Sequence, residues 1–81
     1  MRARVVVTLK GGVLDPQGKA VRNGLASLGY GGVESVRQGK VFDIELDDGP
    51  ADPAREKVEE MCRRLLANTV IEDFEVSIVE G

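Results

Sequence analysis

Hydrophobic and polar residues alternate over the first stretch of the chain. Ala3, Val5, Val7 and Leu9 fall on one side, with Arg4, Val6 and Thr8 on the other. A period of two marks a half-buried strand, because successive side chains leave a pleated backbone in opposite directions. The period then lengthens. Val21, Gly24, Leu25 and Leu28 stand at i, i+3, i+4 and i+7, preceded by Asp15-Pro16 and followed by Gly29. Asp15 can accept from free N–H groups, Pro16 pre-sets the first helical φ, and Gly29 can adopt the left-handed conformation that closes a helix. These signals predict a helix over 16–28.

Two strand-like runs, 33–37 and 41–46, flank Gln38-Gly39-Lys40 and predict a β-hairpin. The second run is two-faced, with Phe42, Ile44 and Leu46 opposite Val41, Asp43 and Glu45. Asp52-Pro53 repeats the earlier Asp-Pro start and predicts a second helix. Its apolar stripe is Val58, Met61, Cys62, Leu65 and Leu66, and Asn68 is its stop. Phe74, Val76 and Ile78 then alternate with Glu75, Ser77 and Val79 as a last strand. The order β-α-β-β-α-β predicts an α+β, ferredoxin-like two-layer sandwich, with an antiparallel sheet and two helices on one face.

With 81 residues the chain fits one domain, 1–81. A domain of that size buries only roughly 60% of the surface of its unfolded chain, so partners are a natural supplement to its core. The content of 42% hydrophobic and 31% charged residues is too apolar for disorder. A formal net charge of −3 and the absence of a basic run argue against nucleic acid, whose phosphates demand clustered Lys and Arg. No apolar segment approaches the roughly 20 residues that span a bilayer, and a lone Cys has no internal disulfide partner; both suit the cytoplasm.

Composition also narrows the chemistry. Without His, the usual Ser-His and Cys-His pairs and imidazole zinc sites are excluded. Cys62 lies on an apolar stripe, where it acts as a small hydrophobe. The acidic pairs Asp47-Asp48, Glu59-Glu60 and Glu72-Asp73 are adjacent residues on loops and faces that water reaches, rather than ligands converging from several elements. The Gly-bearing loop 10–18 leads into a helix N-terminus, but Asp15 occupies the donors an anion would need, and neither Walker nor G-x-G-x-x-G spacing is present. An acylphosphatase would need an Arg in this loop, which offers only Lys10. No catalytic, cofactor-binding or metal-ligating residue is expected.

Three segments carry a family resemblance: Leu9-Lys10 with Val13-Leu14-Asp15-Pro16-Gln17-Gly18, then Val36-Arg37-Gln38-Gly39-Lys40, then 65–73, LLANTVIED. Together they resemble PurS, the small subunit of phosphoribosylformylglycinamidine synthase. The resemblance spans the whole chain and implies a non-catalytic subunit of an ATP-dependent amidotransferase of purine biosynthesis. In that enzyme a glutaminase subunit, PurQ, releases ammonia. A large synthetase subunit, PurL, uses ATP and Mg to activate the formylglycinamide ribonucleotide amide. The small subunit forms homo-oligomers, dimers or tetramers, that bridge the two and bind no cofactor. Thr69 stands where the family commonly has Pro, which implies a looser turn after the second helix.

Lys10, Asp15, Gln17, Arg37 and Lys40 are the polar residues of the motif segments near predicted turns and are candidate partner contacts. Val6 and Val41, on the outer sheet face, are candidates for a homodimer interface. Asn68, Val70 and Ile71 form a further candidate contact. A different class fits the same element order, an ACT-like regulatory module that binds a small molecule, with Gly29, Gly31 and Gly32 as its ligand loop.

Overall fold

The computed structural model describes residues 1–79. Its centre is β1, Arg2–Leu9, flanked by β2, Lys40–Glu45, and β3, Glu72–Val79, in the order β2-β1-β3. Both pairings are antiparallel. Val5 lies opposite Phe42 on one side and Val76 on the other, and Ala3 lies between Ile44 and Ile78. The alternation predicted from sequence therefore places one apolar face. Ala3, Val5 and Val7 are wholly buried, joined by Val58, Cys62, Ala67 and Val76, with Phe42, Ile44, Phe74 and Ile78 packed around them.

That face is covered by α2, Ala51–Met61, which runs on into a π-helical turn, Cys62–Leu66. The helix starts just ahead of the predicted Asp52-Pro53 signal. Asp52 lies inside the first turn, where a negative charge suits the helix dipole, and its side chain makes no capping bond. The wide turn is closed by the Ala67 N–H donating to the Cys62 carbonyl at 2.9 Å. It keeps Val58, Cys62 and Leu66 over the sheet, and Ala67 is buried beside them. Met61 and Leu65, predicted as core, lie on the flank instead, with Leu65 84% exposed. A stripe read at constant period misses this, because a π-turn changes the angular spacing of the residues it contains.

Cys62 is fully buried, and that burial, followed by the nearby Glu59 charge, pushes its thiol pKa up. The expected result is no measurable reaction with a disulfide reagent in the folded protein, and at least about a 100-fold faster reaction in denaturant, followed by thiol titration.

Two predicted features take another form. The run 33–37 does not pair with β2, and no hairpin forms; β2 pairs with β1 instead. The reason lies in contacts distant in sequence. Gly39 lies against β1, where a Cβ would stand 2.7 Å from the Val7 carbonyl oxygen, and the two ends of 33–38 are held by α1 and its cap residue. The Arg22 Nε donates to the Val33 carbonyl, and the Gln38 N–H donates to Asp15.

Helix α1, Pro16–Ser27, is the second. The extensive packing joins β1 with β2, β1 with β3, and α2 with β3; α1 has no such face on the sheet. Val21, Leu28 and Tyr30 are exposed rather than in the core. The radius of gyration is 16.1 Å, against about 12 Å for a compact chain of this length. Helix α1 and its return segment thus form an arm standing off a sheet that α2 covers.

Candidate functional site

The three motif segments, far apart in sequence, meet at one end of the sheet. An open cleft of about 450 Å³ there is lined by Asp15, Pro16 and Gln17 of the first, Gln38 to Lys40 of the second, and Glu72 of the third, over the end of β1.

Asp15 is the hub. One carboxylate oxygen accepts from the Gly18 N–H at 2.8 Å, capping α1, and the other accepts from the Gln38 N–H, also at 2.8 Å. A single side chain thereby ties the helix start to the segment entering β2. The Gly18 N–H, then the Gln38 N–H, hold its carboxyl pKa below the ordinary aspartate value. A depressed pKa stabilises the fold above the unfolded value and loses that contribution as pH falls through the folded one. Hence the stability gap between the wild type and Asp15→Asn is expected to be full at pH 7 and to close as pH drops below about 4. Denaturant melts monitored by circular dichroism across that range check it; a gap constant with pH would remove the carboxylate from this role.

Arg37 fastens the same corner. Its guanidinium donates to the Leu9 carbonyl and, at 3.1 Å, to that of Lys10. The Lys10 N–H donates to the Ile71 carbonyl at 2.9 Å, joining the first motif to the third. The Lys40 Nζ lies 3.7 Å from Glu72 Oε2 and 5.8 Å from the Phe42 ring centroid. Gln17 is exposed on the cleft wall.

The turn 67–71 is held by Asn68. Its carbonyl accepts from Ile71 and Glu72, its Oδ1 accepts from the Val70 N–H, and its own N–H donates to Glu72 Oε1 at 2.7 Å. Four hydrogen bonds fix this turn, so Thr69 in place of Pro leaves it closed. Val70 is 81% exposed and Ile71 partly so, an apolar tip beside the cleft. Val6 and Val41 sit opposite each other on the outer sheet face, away from this corner. That face also carries the Arg4–Asp43 ion pair at 2.9 Å, with Glu75 and Ser77 along β3.

Sequence reasoning singled out Lys10, Asp15, Gln17, Arg37 and Lys40, and the fold brings all of them to one corner. It missed Glu72 as their partner and Gly18 as a point of contact. Gly18 is buried, and a Cβ there would stand 2.1 Å from the Val36 carbonyl oxygen. The sequence signal for Glu72 was its place in LLANTVIED, four residues after the Asn68 it binds.

Comparison with known proteins agrees along the whole chain. A profile of the PurS family, described as phosphoribosylformylglycinamidine (FGAM) synthase, matches residues 2–80. The phosphoribosylformylglycinamidine synthase subunit PurS of Synechocystis sp. is 48% identical over 80 residues, covering 96% of this chain and 80% of that protein. The crystal structure of PurS from Methanocaldococcus jannaschii, one of the subunits of formylglycinamide ribonucleotide amidotransferase in the purine biosynthetic pathway, superposes with a TM-score of 0.85. That pair is 41% identical, with 94% of this chain and 92% of the other covered. A chain in the structure of PurLQS from Thermotoga maritima superposes with a TM-score of 0.84 at 29% identity, with 94% and 93% covered. With its fold and nearly its full length matched, the chain belongs to the PurS family and is a subunit of phosphoribosylformylglycinamidine synthase.

Proposed function

We propose that this subunit is the non-catalytic bridge of the synthase: a homodimer that holds a PurQ-type glutaminase and a PurL-type synthetase in one cytoplasmic assembly. In the reaction served, glutamine, ATP and water convert formylglycinamide ribonucleotide to its amidine, with ADP, phosphate and glutamate released. ATP and Mg act at the synthetase, and this chain binds no cofactor.

The observation that carries the reading is the convergence of the three motif segments on one corner, where the polar groups shape backbone. Asp15 and Arg37 are spent on main-chain groups, and Lys40 pairs with Glu72. Such a corner presents a fixed surface. The known PurLQS assembly of Thermotoga maritima supports the choice of partners.

The physical need for a bridge is plain. Free ammonia escapes or is protonated in water, so donor and acceptor sites must be held in a defined relation and shielded from solvent. Reconstitution with the two enzymes tests this. Leaving the chain out is expected to abolish glutamine-dependent synthesis and spare synthesis from added ammonia. Equal glutamine-dependent rates with and without it would overturn the proposal.

The ACT-like reading is not favoured, because the family match runs the length of the chain. Gly29, with φ of 102°, acts as the left-handed stop of α1.

A further inference from the structure

Strand β3 is an outer strand of the sheet, and the direction of its backbone groups follows from one bond. The Lys10 N–H donates to the Ile71 carbonyl, so the positions of β3 that bond to β1 continue in steps of two through Asp73, Glu75 and Ser77. The N–H and C=O groups of Glu72, Phe74, Val76 and Ile78 therefore point away from β1, along an edge that no other strand covers among the described residues. A row of such groups is a template for pairing with another chain.

Two of these groups are taken. At the start of the edge the Glu72 N–H donates to the Asn68 carbonyl at 2.7 Å. In the middle, Arg55 of α2 reaches the edge, and its Nη1 donates to the Val76 carbonyl at 2.6 Å. Arg55 is an exposed residue of its helix, yet its charged head is spent on main chain.

The place of this bond is telling, because the edge is compatible with itself. Two copies of β3 paired antiparallel about Val76 set Phe74 opposite Ile78, and Val76 opposite Val76, on the core face. On the other face Glu75 meets Ser77 and Asp73 meets Val79, so no acid opposes an acid. Sliding the pair toward the start of the strand brings Glu75 opposite Glu75, and then opposite Asp73. Like charges directly opposite destabilise a strand pair. The compatible register thus centres on Val76, where the two copies must exchange both N–H···O bonds. The carbonyl that Arg55 engages is the acceptor each copy would offer, and the guanidinium stands where the incoming N–H would lie.

We propose that Arg55 is a cap on the β3 edge that keeps the subunit from pairing, sheet to sheet, with further copies of itself. The inference is separate from the bridging role and holds whether the unit is one chain or two. In a homodimer its consequence is larger. Two uncapped edges per dimer would join dimers end to end without closing, and a bridge between two enzymes must stay finite.

The test uses the full chain, with mass followed by light scattering over a range of concentrations and folding by circular dichroism. Arg55→Ala should raise the mass to at least about twice the wild-type value, increasing with concentration, while the helix and sheet signals persist. Arg55→Met keeps the apolar stem and loses only the donors, and should do the same, which separates a lost cap from lost packing. Arg55→Lys keeps a donor on a long stem and should stay near the wild-type mass. Adding Ser77→Glu to Arg55→Ala sets a carboxylate opposite Glu75 twice in the paired register, and should return the mass to the wild-type value. In the single chain Ser77 lies opposite Arg4, where a carboxylate is well placed. Wild-type mass for both Arg55→Ala and Arg55→Met at every concentration would overturn the proposal. Larger species, soluble or precipitated, that Ser77→Glu does not reverse would also overturn it, because they assemble through another surface. Amide hydrogen exchange reads the edge directly: the Phe74, Val76 and Ile78 N–H groups should gain at least about 10-fold protection in Arg55→Ala, and unchanged exchange there would count against the cap.

Discussion

Gly18→Ala is expected to lower Tm by up to about 15 °C, and Gly24→Ala, six residues along the same helix, to raise it by about 4–8 °C. Both substitutions give α1 a better helix former, worth about 1 kcal/mol each. They differ in what the new methyl group meets. At Gly24 nothing lies within 4 Å, and the propensity gain stands alone. At Gly18 the Cβ would sit 2.1 Å from the Val36 carbonyl oxygen and 2.9 Å from its carbon, which are backbone atoms that cannot rotate aside. Relief requires the return segment to move away from the helix start. That movement strains the Asp15 bond to Gln38 and the Arg37 bonds to the end of β1. Overpacking of this kind costs about 1–3 kcal/mol, and in a domain of this size 1 kcal/mol shifts Tm by about 4–8 °C. Thermal melts of the two variants beside the wild type decide the matter. A Gly18→Ala protein as stable as Gly24→Ala would show that α1 and the return segment do not make the close approach.

The contrast between these glycines shows where the sequence was readable. Strands β1 and β3 were legible because apolar positions recur at every second residue, over 3–9 in one and 74–78 in the other, and that apolar face is buried by contacts within one chain. The Asp15 cap was legible because a capping bond is local, spanning three residues. The arm was not. Val21, Leu25 and Leu28 have the spacing of a core-facing helix, and periodicity reports that a face is apolar without reporting what covers it. Residues 33–37 have strand composition, but the Val33 carbonyl accepts from Arg22 and the N–H of the next residue, Gln38, donates to Asp15, side chains more than ten positions away. Leu65 failed for a different reason, the π-turn, which depends on how the last turn of α2 meets the sheet. The corner of motif residues was only half visible. Its members could be chosen as polar residues of the motif segments, whereas the pairing of Lys40 with Glu72 needs the register of β1 with both neighbours.

Lys40→Glu should separate stability from assembly at that corner. Lys40 is 52% exposed and Glu72 17%, with 3.7 Å between the nitrogen and the carboxylate, so water screens the pair from the lysine side and it contributes about 1 kcal/mol. The variant should melt within a few degrees of the wild type. Its surface changes far more. Reversal puts a second carboxylate beside Glu72, in a cleft that Asp15 also lines, and removes the cation that balanced them. For a partner built to meet the wild-type corner, a like charge brought opposite one of its own costs several kcal/mol. With limiting amounts of the variant, glutamine-dependent synthesis is expected to fall at least tenfold while ammonia-dependent synthesis is unchanged. A large excess of the variant should recover much of the loss, because the defect lies in docking rather than chemistry. The charge-swapped double variant, Lys40→Glu with Glu72→Lys, rebuilds the pair inside the chain and leaves the pattern on the surface inverted. Its failure to restore glutamine-dependent turnover would place the effect in partner recognition; full restoration would place it in the shape of the corner. Wild-type titration by the single variant would exclude this end of the sheet as the surface that meets the enzymes.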